Sequence, residues 1–492
     1  MTAPQFPELF PIAMGSEEET MLQTGTNPLR LEDPQEFVAN FEEYIPGSIK
    51  YVGNNRIFLQ NGGLMYDGGA IGTNDEEMIA PNVNLERATP ECATPLELAT
   101  CTEASEHLLV SMLKTYVEHK AAEGEPVTAR VQRRTIDAQG HGRASHDSIE
   151  SRRPNWLKDF DTNSQALEVW LNFLETRSFI TGAGYVSASG PKFAQKVQHI
   201  KAIDTYGYIS SAYRNASEVE TGPRIEVRCN DINISPWAIQ MRVGGSALLF
   251  TMLQTPLVNA LSNYIPRGQS DVLHLKNFRD YNAVAFDPEG TIQASTHNMR
   301  ALDLQERIFE LADEALGEYI ELGDHYQRVI TEIRRYCEDF RQVLIDKEPF
   351  SILADRSDMA AKFSRIFELN RKAESFGIER KLGDIATMAT DFRYDNITVA
   401  TSDSGKARVE YGHGYKLRSK GAFRMTTKPD EVERAVYYPP KTTRASIRGA
   451  LIRRGELDDC SWGWVKHNGI ESRMSLKDVM LQDDNLTDTS KA

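Results

Sequence analysis

Residues 14–20 read Met-Gly-Ser-Glu-Glu-Glu-Thr. On a β-strand successive side chains point to opposite faces, so Glu17 and Glu19 share one face and Glu18 takes the other. Two carboxylates aimed at one point repel each other, and a cation between them removes the repulsion. Mg2+ is hard and takes oxygen ligands, so it suits such a pair. Alone, an acidic run is more often a solvated face. Two further acidic groups accompany this one. NGGLMYD, residues 61–67, ends a short strand on Asp67 before a glycine pair. An acid there can serve as general base or nucleophile, although Asp beside Gly is commonly just a turn residue. NLERATPEC, residues 84–92, holds Glu86 and Glu91, an odd number of positions apart. A regular strand separates them, whereas a bulge or turn at Pro90 returns them to one face.

Outward from these clusters the chain alternates strand-like and helical stretches. Arg56 to Gln60 and Ile225 to Cys229 read as strands, the first among glycine-rich turns. Residues 96–122 read as a helix, with Leu98, Leu108, Leu109, Met112, Leu113 and Val117 on one face. Residues 165–182 look similar, and Trp237 to Leu261 reads as an apolar helix. Residues 302–347 form a long helical block in which Ile330, Ile333, Cys337, Phe340 and Leu344 are a core stripe. No regular βαβ alternation occurs, so the class is α+β. Near residue 415 the sequence becomes basic and glycine-containing. A boundary there gives a large domain, 1–415, and a small C-terminal one, 416–492, whose polar end LQDDNLTDTSKA is expected to be disordered.

Composition excludes several classes. The chain has 492 residues with a formal charge of −15, a poor surface for nucleic acid. No apolar run approaches the ~20 residues that span a bilayer. The N-terminal stretch lacks a basic segment followed by an apolar one, which predicts a cytoplasmic protein. Five scattered cysteines without a CxxC pair predict buried, reduced thiols. GxxxxGK[ST], GxSxG and HExxH are absent, which removes the P-loop, serine-hydrolase and zincin readings. AQGHGRASHD, residues 138–147, carries His141 and His146. PRIEVRCND, residues 223–231, carries Arg224, Glu226, Arg228 and Asp231. Arginine forks match phosphate oxygens, although solvated ion pairs are the plainer use of such residues.

These segments, in this order, resemble the Pup ligase and depupylase family, bacterial enzymes related in fold to glutamine synthetase. MGSEEET is similar to the family's MGxExE opening, NGGLMYD to its NGARLYxD, and NLERATPEC to its HPEYxTPEC. TRSFITGAG (176–184) resembles TRQxxxGAG, and RIEVRCNDINIS (224–235) resembles RLHVIxGDxNxS. RVGGSALLFTML (242–253), ALDLQ (301–305), PPKTTRASIRG (439–449) and SWGWV (461–465) continue the likeness over nearly the whole chain. The resemblance implies a glutamine synthetase-like large domain, with a curved antiparallel sheet packed by helices and holding ATP and Mg2+, plus a small C-terminal domain. It implies chemistry on the C-terminal glutamate of Pup, a small disordered protein modifier. The ligase phosphorylates that glutamate's side chain and joins it to a lysine; the depupylase hydrolyses the isopeptide bond. By position, Glu17, Glu19, Glu86 and Glu91 become metal ligands and Asp67 the catalytic aspartate. Arg214, Arg224, Arg444 and His146 become contacts to phosphate or to the Pup glutamate. Pup and pupylated proteins are the implied partners of a monomer.

Three departures stand out. Glu226 occupies the histidine position of RLHVI and so joins the metal shell. SHDSI (145–149) replaces CHENY, and Asn84 replaces the histidine of HPEY. The stretch from Glu19 to Asn61 has no room for the long depupylase loop. An extra acid in the shell argues against repeated ATP turnover, so the reading favours a loopless depupylase-type hydrolase. A ligase is the alternative, and a degenerate Pup-binding protein the third reading.

Overall fold

The computed structural model describes residues 13–26, 44, 49–51, 56–61, 63–67, 83–135, 143–151, 160, 164–187, 190–203, 213–215, 224–266, 268–287, 291–382, 384–401, 404–460, 464–467 and 469–473. The polar tail and His141 lie outside them. The first acidic run is the middle of the longest strand, β1 (Ala13–Gly25). Its first half pairs with β7 (Ser145–Glu150), and its second half with β6 (Thr128–Gln132). Along its other edge runs β5 (Val83–Ala88). Beyond β5 come β4 (Leu64–Asp67), β3 (Arg56–Phe58) and β2 (Ile49–Tyr51). Beyond β7 come β9 (Arg224–Asn230) and β8 (Tyr213–Asn215). β10 (Asn396–Thr401) joins β6 and carries β11 (Ala407–Tyr411). All eleven described strands of this sheet pair antiparallel, which agrees with the α+β class expected from sequence.

Helices cover one face. α1 (Pro95–Ala122) starts where Thr94 caps the backbone amide of Glu97 at 3.1 Å, Glu97 returns the bond to Thr94, and Pro95 presets the first turn. Its predicted stripe is buried, together with Leu22, Leu85, Val131 and Ile397 of the sheet. α2 (Ser164–Thr176) and α3 (Pro236–Met252) belong to a second, larger core. Every residue of α3 is buried, including Arg242, whose charge Asp147 meets at 2.8 Å. A β-carbon on Gly244 would stand 2.6 Å from Val329, so glycine permits the close crossing there. The 237–261 stretch is not one helix: Pro256 cannot donate to the preceding turn, and a new short helix follows at Leu257–Ser262. Likewise 302–347 divides into α4 (Thr296–Glu314) and α5 (Asp324–Ile345), with Gly317 and Gly323 between them. The core stripe on α5 is buried as expected.

The C-terminal part begins within helical structure. Residue 415 lies inside α7 (His413–Ser419), after α6 (Asp358–Glu374), and Tyr415 packs in the core shared with α1. α8 (Pro429–Tyr437) also contributes to the large core, through Val432 and Ala435. A separate small core forms only from α9 (Ala445–Arg454) onward: Leu451, Ile452, Leu457 and Val465, beside a three-stranded sheet. Cys92, Cys101, Cys229 and Cys337 are buried free thiols, and Cys460 is partly buried. Among the described residues no helix is long and apolar enough to cross a membrane.

Candidate active site

The β1 alternation sorts the three glutamates. Glu18 points to the helical side, where its carboxylate bonds Arg87 at 2.6 Å and Arg133 at 2.8 Å, all three fully buried. Arg133 also reaches Tyr415 at 3.0 Å and pairs with Glu106, which Arg418 holds from the other side. Burial alone would raise Glu106, but Arg418 and Arg133 outweigh it and hold the carboxyl below the usual glutamate range. Arg87 lies behind the same strand with its pKa lowered by burial, against the pull of Glu18.

Glu17 and Glu19 point to the other face and meet there at His146. Its Nδ1 is 3.5 Å from Glu17 and 3.9 Å from Glu226, and its Nε2 is 3.8 Å from Glu19. The register explains the meeting. His146 pairs with Glu17, and Glu226 sits opposite Ser148 one row along. Glu86 pairs with Glu19, and Tyr66 with Glu86, so Tyr66, Glu86 and Glu19 form one row across three strands. Arg214 pairs with Glu226 through its backbone. Asp67 closes β4 opposite Leu85, one position out of step with the Tyr66–Glu86–Glu19 row.

Glu91 reaches this face by a different route. From Glu17 to Met14 is three steps along β1, while their partners Ala88 and Cys92 are four steps apart. One extra residue is accommodated between them, the bulge needed to undo the odd spacing of Glu86 and Glu91. The structure does not bring Glu91 to His146, however. Its buried carboxylate bonds Arg448 through both oxygens and lies 3.9 Å from Arg444. Arg444 in turn pairs with Glu150, the residue opposite Arg224. Arg224 donates to Ser148 at 2.9 Å.

Two cations join this face beyond those that the resemblance implies. Arg228 stands 3.3 Å from Glu226. Its signal was legible, because Arg224, Glu226 and Arg228 alternate along β9. Lys196 is buried near Glu19 and Arg228. Burial pulls its ammonium below the usual lysine range, with Glu19 opposing and Arg228 assisting. Nothing in its local sequence marks it, since it arrives from a short turn at Lys196–His199. Among the described residues no group of three or more His, Cys, Asp or Glu closes into a metal cage. What the face offers is carboxylate oxygen from the partly exposed Glu17 and Glu19 beside the buried Glu86 and Glu226, which suits a hard cation that keeps part of its water shell.

The description "Pup-ligase protein" belongs to the family whose model matches residues 30–468. A Pup–protein ligase of Acidimicrobium ferrooxidans is 24% identical over 455 residues, covering 88% of this chain and 89% of that protein. One from Kocuria rhizophila is 25% identical over 452 residues, covering 85% of each. Among solved structures, the complex between the prokaryotic ubiquitin-like protein Pup and its ligase PafA superposes with a TM-score of 0.72 at 18% identity, covering 99% of this chain and 97% of that one. The ligase PafA in complex with ADP gives 0.64 at 19% identity, covering 92% and 93%. At such identities the superpositions speak for the fold alone, while the family model matches from residue 30 to residue 468, a span that starts after β1 and includes Asp67, Glu86, Glu226 and Arg444: the chain belongs to the Pup-ligase protein family.

Proposed function

We propose that this chain is an ATP-dependent ligase that joins the C-terminal glutamate side chain of Pup to lysines of protein substrates in the cytoplasm. The observation that carries the reading is the cluster of Glu17, Glu19 and Glu86 on one face of the sheet, with His146 and Glu226 beside it and Arg228 and Lys196 within electrostatic reach. In the proposed reaction the glutamate carboxylate oxygen takes the γ-phosphoryl group of ATP, and ADP departs. A neutral lysine amine then attacks the acyl carbon, phosphate leaves with the C–O bond, and a proton passes from nitrogen to a base. Little covalent work falls to the protein, so positioning and charge neutralisation dominate. Glu17, Glu19 and Glu86 would hold Mg2+, which when bound would offset phosphate charge. Arg228 and Lys196 supply fixed positive charge, and Asp67 is the proposed base.

This reading replaces the hydrolase expected from sequence. In sequence, Glu226 and the altered SHDSI segment weigh against ATP turnover and so favour hydrolysis. Arg228, two residues along the same strand, stands 3.3 Å from that carboxylate and offsets its charge locally. The relatives named above carry the ligase name. Mixing the protein with Pup ending in glutamate, ATP and a lysine-bearing protein should give a covalent conjugate with stoichiometric ADP, and Asp67→Asn should abolish both. Release of Pup from a preformed conjugate, with no conjugate formed in the forward assay, would restore the hydrolase.

A further inference from the structure

We infer that Glu91 is a positioning residue that anchors the C-terminal segment and sets Arg444 at the basic end of the active face, and that it is not a ligand of the metal. The proposal rests on the ligase reading for its kinetic part only. Glu91 is fully buried, and Arg448 bonds both of its carboxylate oxygens, Nη1 to Oε1 at 2.8 Å and Nη2 to Oε2. Thr443 donates its hydroxyl to the carbonyl oxygen of the same residue at 2.7 Å. Arg444 completes the grip, with Nε 3.9 Å from Glu91 and Nη2 on Glu150. Two carboxylates thus meet two guanidiniums. A cation at Glu91 would have to displace Arg448 from both oxygens of a fully buried carboxylate.

The arrangement also has a direction. Arg444 and Arg448 are four residues apart at the start of α9, so anchor and neighbour project from one side of the helix. Glu150 is four residues along β7 from His146, about 13 Å at strand rise. The face therefore runs from carboxylates at Glu17 and Glu19 to guanidiniums at Arg224 and Arg444. Arg444 is shared between Glu150 and the edge of Glu91, Arg448 holds Glu91 through both oxygens, and both arginines are buried. An anionic group of the substrate, a carboxylate by the proposed chemistry, would be read at that end.

The test compares Glu91→Gln with Glu17→Gln in the full chain. Mn2+ titration followed by electron paramagnetic resonance should show affinity within about twofold of the parent for Glu91→Gln and at least a tenfold loss for Glu17→Gln. Limited proteolysis should cut the segment after residue 440 several-fold faster in Glu91→Gln and in Arg448→Lys, which keeps the charge but loses the fork. In the ligase assay KM for Pup should rise about tenfold in both variants, with kcat changed less. The reversal Glu91→Arg with Arg448→Glu should recover the parental proteolysis rate. Equal loss of Mn2+ affinity in Glu91→Gln and Glu17→Gln would overturn the proposal, as would unchanged proteolysis. These two arms decide it even if no ligase activity is found, because neither depends on turnover.

Discussion

Glu17, Glu18 and Glu19 have the same chemistry and differ only in strand parity. Glu18 is buried between two arginines, and removing one member of a buried ion pair leaves the others uncompensated, at about 3–5 kcal/mol. Glu18→Gln should therefore lower Tm markedly, whereas Glu17→Gln, on the more open face, should change stability by less than about 0.5 kcal/mol. Activity should show the opposite order per unit of stability lost. Glu17→Gln is expected to reduce conjugate formation by about 100-fold or more with the fold intact, checked by scanning calorimetry beside the ADP assay. Similar melting shifts for the two variants would contradict the assignment of faces. At this scale the sequence was informative, because alternation needs no tertiary knowledge. Arg228 was legible on the same ground, and Lys196 was not.

At the scale of elements, the TRSFITGAG segment shows how closely a connection is built. It leads from α2 into a separate two-stranded sheet, Tyr185–Ser187 with Gly190–Lys192, and a β-carbon on Gly182 would stand 2.2 Å from the carbonyl oxygen of Phe193 and 2.4 Å from that of Ser178. Both are backbone atoms, so they cannot swing aside. Gly182→Ala should lower the urea midpoint by an amount equivalent to about 1–3 kcal/mol, with activity falling only in step with the folded fraction. An unchanged midpoint would mean the connection relaxes more easily than close packing allows. The bulge between Ala88 and Cys92 belongs to this scale as well. The odd spacing of Glu86 and Glu91 pointed to it, but spacing could not say that Glu91 would be met by arginines from residues more than 350 positions later.

At the scale of the whole molecule, buried charge ties distant segments together. Asp358 at the start of α6 accepts backbone amides of Ile234 and Ser235 at 3.1 Å and the amide of Asn233, just after β9. Lys362, one turn further on, bonds Asp395 at 3.0 Å and Asp391 at 3.2 Å, and Arg134 bonds Asp391. Burial pushes the Asp358 carboxyl up to about 6, while the Ser235 and Asn233 hydrogen bonds oppose the rise and Asp395 adds to it. A carboxyl whose folded pKa exceeds its unfolded one costs stability when both forms are ionised. That cost is returned as pH falls through the folded pKa towards the unfolded value near 4. Between pH 7 and pH 5 the parent should therefore gain unfolding free energy relative to Asp358→Asn, which cannot titrate, by up to about 1–2 kcal/mol, read from urea melts at the two pH values. A gap that is constant or that widens against the parent would refute the assignment.

The sequence by itself determined the class, the main helices, the two faces of β1 and the family likeness. All of these follow from local periodicity or from ordered motifs, which a linear chain carries in full. Only the tertiary structure decided which charges meet. It placed Arg228 against Glu226, Lys196 within electrostatic reach of Glu19, and Arg444 and Arg448 on Glu150 and Glu91. A charge's effect depends on its distance to other charges and on its burial, and neither is set until the chain has closed on itself. That is why Glu226 read as an excess acid in sequence and stands beside a guanidinium in the fold.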